Sequence, residues 1–128
     1  MKIQPSKKSF RLSLGDRGEM IAAAYLAGKG YKILDQKARA PFGELDLVAQ
    51  IKATLVFVEV KTRSSNKFGA PEESVDMHKQ KKMTRLAEWY YQKNSLGKMK
   101  MRFDVIAILY EGVTEPQVRH IQDAFEAI

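Results

Sequence analysis

Two runs of strand-forming residues carry acids where a buried strand should be apolar: Gly43-Glu44-Leu45-Asp46-Leu47-Val48 and Leu55-Val56-Phe57-Val58-Glu59-Val60-Lys61-Thr62-Arg63. Strand side chains alternate faces, so Glu59 and Lys61, two apart, point the same way. A charge in such a place is costly unless it is paired or bound to a metal. The link between the runs is short, which predicts an antiparallel hairpin. With the loop centred between Lys52 and Ala53, Asp46 falls opposite Glu59 and Glu44 opposite Lys61. A slip of one residue would send these groups to opposite faces. The link lacks Gly and Asn, which argues for a four-residue loop over a two-residue one, and both give the same opposition.

The remaining elements follow from caps and periodicity. Ser13 is placed to cap a helix beginning near Gly15 or Asp16, where Asp16 and Glu19 meet the positive end of the helix dipole. Met20 to Ala27 continues it, and Gly28 and Gly30 stop it. Tyr31 to Ala38 reads as a strand, broken by Pro41 and Gly43. Glu44 to Gln50 alternates, with Leu45, Leu47 and Ala49 on one face and Glu44, Asp46 and Val48 on the other. Thr54 to Thr62 is the densest strand pattern. Ser64 to Pro71 reads as a loop and Glu72 to Asn94 as a long helix, with Val75, Met83, Leu86, Ala87 and Tyr90 on one stripe. Arg102 to Tyr110 is a buried strand, Val118 to Ile121 a short edge strand, and Asp123 to Ile128 a tail. A long helix between two strands is the crossover that a parallel pair needs, so the order implies an α/β sandwich on a mixed sheet of four to five strands. Residues 1–12 read as a flexible basic arm with Pro5, and residues 13–128 as one domain.

The chain carries 22 Lys and Arg against 15 acids, a net charge of +7, in 128 residues. Such a balance suggests a polyanionic partner, with plain solubility as the bland alternative. There is no cysteine, which excludes a disulfide framework and thiolate metal sites and is compatible with a cytoplasmic protein. No apolar run approaches the roughly 20 residues of a membrane helix, and Met1 to Arg11 has no apolar segment of the secretory kind. No membrane association is expected.

If the hairpin forms as drawn, Asp46, Glu59 and Lys61 converge. Two neighbouring carboxylates repel, and one takes up a proton unless a cation lies between them. Oxygen ligands suit Mg²⁺ or Mn²⁺ rather than zinc, and the Val60 carbonyl is available as a further ligand. Such a cation polarises a phosphodiester and acidifies water, while Lys61 is suited to orienting that water or meeting the developing charge.

These residues resemble the D…ExK signature of the PD-(D/E)XK nuclease superfamily. More narrowly, the chain is similar to the bacterial YraN-type family of predicted endonucleases, related to archaeal Holliday junction resolvases. The resemblance runs from about Gly15 to Phe125. It includes Gly15-Asp16-Arg17-Gly18-Glu19 with Ala22 and Tyr25-Leu26, then Phe57 to Arg63. It continues in Phe68-Gly69, Pro71-Glu72-Glu73, Lys79-Gln80, Arg102-Phe103-Asp104-Val105, His120-Ile121 and Ala124-Phe125. One departure is the link Gln50-Ile51-Lys52-Ala53, which lacks the acidic and glycine residues common there. The resemblance implies a restriction-endonuclease-like sandwich with Asp46 and Glu59 as metal ligands and Lys61 as the catalytic lysine. Glu19 matches an acid brought from the first helix, and Gln80 a helix position near the site. Dimers of resolvase relatives make a homodimer an expectation by analogy alone.

The expected function is therefore a metal-dependent endonuclease acting on DNA, branched or otherwise structured. The alternatives are a nucleic-acid-binding module of the same fold that does not cut, and a protein-interaction domain whose charge is incidental. Arg63, Lys67, Lys79, Gln80 and Lys82 are the expected nucleic-acid contacts, against a solvated helix face as the bland reading of the lysine cluster. Asp104 is expected to pair with a nearby Arg or Lys rather than bind metal. His78 and His120 are read as ordinary polar residues, and Trp89, Tyr90 and Tyr91 as packing residues.

Overall fold

The densest apolar patterns become two neighbouring inner strands, whose core side chains are almost wholly shielded from solvent. The computed structural model describes residues 13–64, 75–110 and 115–128. In chain order its elements are α1 (Leu14–Gly28), β1 (Lys32–Ala40), β2 (Gly43–Ile51), β3 (Thr54–Arg63), α2 (Met77–Lys93), β4 (Lys100–Leu109) and β5 (Gln117–Phe125). The strands form one sheet in the order β1-β2-β3-β4-β5. β3 and β4 are parallel, joined across α2, and the other neighbours are antiparallel. The two helices cover opposite faces. Ala22, Ala23 and Leu26 of α1 pack with Leu47, Val56, Val58, Ile106 and Ile108. Met83, Leu86, Ala87 and Tyr90 of α2 pack with Val48, Leu55, Phe57, Phe103 and Val105. Each large side chain so buried contributes roughly 1.5–3 kcal/mol. The result is the expected restriction-endonuclease-like α/β sandwich.

Local signals explain the helix ends. Ser13 Oγ accepts the Asp16 N–H at 3.0 Å, and beyond Gly28 the chain turns through Gly30 at φ +91°, a value suited to glycine. α2 starts later than its periodicity suggests. Asp76, extended at φ −76° and ψ 178°, caps it by accepting the Lys79 N–H, so Val75 is buried ahead of the helix rather than within it. The periodicity overran the start because a buried residue before a cap counts toward the apolar stripe. Trp89, Tyr90 and Tyr91 pack on the α2-side core as expected.

Three further expectations are corrected. The β2–β3 loop has two residues, not four: Ile51 pairs with Thr54, and Lys52 adopts φ +52° in the position where Gly or Asn was missing. Leu45 and Leu47 do not share a face. Leu45 joins the α2-side core and Leu47 the α1-side core, so β2 turns over at Asp46. On β1, between the pairs Gln36↔Leu47 and Ala38↔Leu45, Lys37 sits at φ +53°, a local break that spoils simple alternation. Finally, β5 is a full nine-residue strand that takes in the first half of the expected tail, to Phe125. It is interrupted where the register shifts opposite Phe103 and Val105, with Asp123 at φ +52°.

The basic arm expected at residues 1–12, the loop including Lys67 and Phe68, and the helix start expected at Glu72 lie outside the described residues. Among the described residues no helix is long and apolar enough to cross a membrane.

Candidate active site

The β2–β3 ladder runs from Ile51↔Thr54 to Leu47↔Val58 and stops there. Its register is the expected one, but just beyond it a side chain replaces the backbone. Asp46 Oδ2 accepts the Val60 N–H at 2.9 Å, a donor that a continued ladder would give to a β2 carbonyl. Glu44 consequently does not meet Lys61. It turns to β1, where Arg39 lies 3.2 Å away.

Glu59 follows from β3 on the α2 side and is buried. Its Oε1 lies 3.8 Å from Lys61 Nζ and its Oε2 3.1 Å from Lys79 Nζ. Lys79, expected on a phosphate track along α2, thus reaches into the site itself. Asp46 is half-buried by exposed surface but densely surrounded by protein. Loss of solvation pushes its carboxyl up to about 7, and the neighbouring Glu59 pushes the same way, while the Val60 N–H pulls it partly back. An acid whose ionisation is opposed by burial and by a neighbouring carboxylate marks a place that takes a proton or a cation.

The third acid arrives from the opposite layer. α1 meets β3 closely at Gly18, where a Cβ would fall 2.0 Å from Thr62 Oγ1. That contact seats the next residue, Glu19, close enough to Asp46 for its charge to raise the Asp46 pKa further. Glu19 Oε1 is buried and accepts no hydrogen bond; Lys37 Nζ lies 3.2 Å away but out of alignment for one. Burial raises the Glu19 pKa against the opposing pull of Lys37. Lys37 also pairs with Asp16 at 2.8 Å, a contact that raises its own pKa. Lys37 escaped the sequence reading. The signal was present in the Ala40↔Gly43 turn, which carries Lys37 opposite Asp46.

Among the described residues no three acids or histidines draw together tightly enough to cage an ion. Asp46 and Glu59 form a pair, and on the other side is the Glu19 oxygen that accepts no hydrogen bond. That donor set fits Mg²⁺, which keeps several waters and commonly uses one or two carboxylates plus substrate phosphate. Val60 offers its carbonyl beside them.

The other expected contacts are placed less centrally. Arg63, at the end of β3, donates to the Thr62 carbonyl at 3.0 Å. Gln80 donates to the Val75 carbonyl at 3.1 Å, an embrace of its own helix start. Lys82 lines a cavity of about 330 Å³ with Phe42, His78, Lys81 and Arg85. Asp104 does pair with an arginine, as expected, but His120 also joins it: Nε2 lies 2.7 Å from Asp104 Oδ2. Nothing in the spacing of these residues announced that contact.

A family model described as uncharacterised protein family UPF0102 matches residues 18–108, a span that holds Glu19, Asp46, Glu59, Lys61 and Lys79. A UPF0102 protein of Syntrophotalea carbinolica is 49% identical over 116 residues, covering 91% of this chain and 94% of its own length. One from Caldanaerobacter subterraneus subsp. tengcongensis is 45% identical over 121 residues, covering 93% and 99%. A third, from Clostridioides difficile, is 44% identical over 111 residues, covering 87% and 95%.

Proposed function

Since the chain belongs to uncharacterised protein family UPF0102, whose name assigns no activity, we propose from its site that it is a metal-dependent endonuclease of the PD-(D/E)XK kind, acting on branched or otherwise structured DNA. The observation that carries this reading is the pairing of Asp46 with the buried Glu59 where the β2–β3 ladder ends, with Lys61 beside them. A structural acid is normally placed where its charge is satisfied. Here burial and the neighbouring Glu59 oppose ionisation of Asp46, an opposition that a divalent cation between the two acids would relieve.

Asp46, Glu59 and the Val60 carbonyl would hold Mg²⁺ or Mn²⁺, with Glu19 contributing directly or through water. Bound there, the ion supplies Lewis-acid polarisation of a phosphodiester and lowers the pKa of water. The rest is done by the chain. The Val60 N–H fixes the Asp46 carboxylate in orientation. Lys61 orients the attacking water or meets the negative charge that builds at phosphorus, the role suited to a partly exposed ammonium beside an acid. Lys79 holds Glu59 in place and, with the net charge of +7, draws a polyanion toward the site.

One observation favours the second reading, a nucleic-acid-binding module that does not cut. Glu59 already has two ammonium groups around it, so its charge is met without a metal. The test is cleavage of a labelled panel of linear duplex, single strand, flap and four-way junction in Mg²⁺, Mn²⁺ or EDTA. Wild type is expected to cut in metal alone, and Glu59→Ala and Lys61→Ala to abolish cutting. Salt-sensitive binding without cutting in either metal would transfer the assignment to the binding module.

A further inference from the structure

The cavity beside Lys82 is built by one helical stripe and one turn. His78, Lys81, Lys82 and Arg85 stand at the i, i+3, i+4, i+7 spacing that shares a helix face, and Phe42 closes the space from the β1–β2 turn. The turn is held close against α2: a Cβ at Gly43 would lie 2.9 Å from Lys82 Cε and 3.4 Å from the buried Leu86. A side chain at Gly43 would press on the end of Lys82, so the glycine lets turn and helix approach closely. Among the described residues, the exposed large apolar side chains are Leu14, Met20, Phe42, Met77 and Ile128, and Phe42 is the aromatic one. It is 39% exposed, with the Arg85 guanidinium 5.4 Å from its ring centre.

An exposed ring framed by cations differs from a plain basic face. The cations suit phosphates in any nucleic acid, whereas a ring is useful only to a flat apolar surface that can be laid on it. In a duplex, base faces are already stacked. From Phe42, β2 runs four residues to Asp46, roughly 13 Å at strand rise. Lys79, three residues before Lys82 on the same helix, is the group that touches Glu59.

We propose that Phe42 is a stacking platform for an unpaired base within a few nucleotides of the scissile bond, with Lys81, Lys82 and Arg85 holding the adjoining phosphates. This rests on the nuclease site proposed above and narrows its substrate class to DNA with single-stranded character beside the cut, such as a flap or an opened branch point. Phe42 is then a specificity residue that touches substrate.

The test reads binding, without metal and without cutting. Fluorescence anisotropy in EDTA compares a labelled single strand, a flap and a blunt duplex with wild type, Phe42→Ala and Phe42→Trp. Phe42→Ala is expected to weaken single-strand and flap binding by about tenfold and leave duplex binding unchanged, the effect of losing one base–aromatic stack. Phe42→Trp is expected to restore it, which a misfolded or merely destabilised variant would not do. A 2-aminopurine base in the single strand should lose fluorescence on binding wild type and not on binding Phe42→Ala. Equal losses on all three DNAs, no loss, or no rescue by Trp would overturn the proposal, as would an absence of DNA binding. Because the assay contains no metal, Phe42-dependent binding with no cleavage in the panel above would sink the nuclease reading and the placement beside a scissile bond, and leave Phe42 as a base-stacking platform. Cleavage indifferent to Phe42 would sink only this one.

Discussion

Asp46 and Asp104 lie in strands of the same sheet, each set against protein rather than water, and their surroundings treat them oppositely. Asp104 is fully buried and fully answered. Arg102 grips it with two bonds of 2.8 Å, His120 Nε2 lies at 2.7 Å, and the Asp123 N–H donates at 3.0 Å from the irregularity in β5. Tyr31 then accepts from Arg102 at 2.7 Å, and the rings of Tyr25 and Tyr31 flank His120 edge-on. Burial raises the Asp104 pKa, but His120, Arg102 and the Asp123 N–H together outweigh it, and the net shift is downward. Asp46 has one backbone N–H and another acid for company, and its pKa goes up. A carboxylate kept for structure is surrounded by donors; one left short of them is available to a ligand.

The largest expected effect breaks the satisfied side. Asp104→Asn leaves Arg102 and His120 facing a neutral amide in a buried setting and should cost about 3 kcal/mol in urea unfolding. A near-neutral result would show that the cluster is not structural and would remove the contrast. Gly18→Ala acts at the other end of α1, forcing the helix from Thr62 and withdrawing Glu19 from Asp46. It should cost roughly 2 kcal/mol by overpacking. Adding Thr62→Ala should recover part of that loss, and full additivity in the double-mutant cycle would mean the clash is elsewhere.

The smallest effect sharpens the unsatisfied side. Asp46→Asn keeps an acceptor for Val60 and removes a charge, so in EDTA at pH 7.5 it should match or exceed wild type, by on the order of 1 kcal/mol. The sign with pH is opposite for the two acids. Asp46 has a folded pKa above its unfolded value, so between about 4 and 7 the folded state holds the extra proton and stability falls as pH rises. For Asp104 the folded pKa is lowered, and its contribution is present above the ordinary carboxylate range and lost as pH falls through that folded value. Denaturation between pH 4.5 and 7.5 should therefore show Asp46→Asn gaining on wild type as pH rises. Mg²⁺ at ten times its Kd should stabilise wild type by about 1.4 kcal/mol and leave Asp46→Asn unmoved; equal gains would place the ion elsewhere.

The parts of this molecule that could be read in advance are those governed by the backbone within a short stretch. The cap at Ser13, the alternation of β3 and the opposition of Leu47 with Val58 depend on near neighbours and on a strand period of two, and all stand as expected. So does the gathering of Asp46, Glu59 and Lys61 at one end of a hairpin. Local rules misled where an unfavoured conformation was imposed from outside. Lys52 and Lys37 take left-handed φ values that neither sequence context favours, which shortens one loop and turns β2 over at Asp46.

The amino-acid order thus decided which residues form strands and helices, how one hairpin is registered, and which charges travel with it. The reach of Lys79 to Glu59, the approach of Glu19 beneath Gly18, and the closure of His120 on Asp104 came from elsewhere. Those contacts join residues from 16 positions apart (His120 and Asp104) to 44 apart (Gly18 and Thr62). They exist only once helices dock on opposite faces of the sheet and a fifth strand closes its edge, because the energy that places them is packing between elements rather than preference within one.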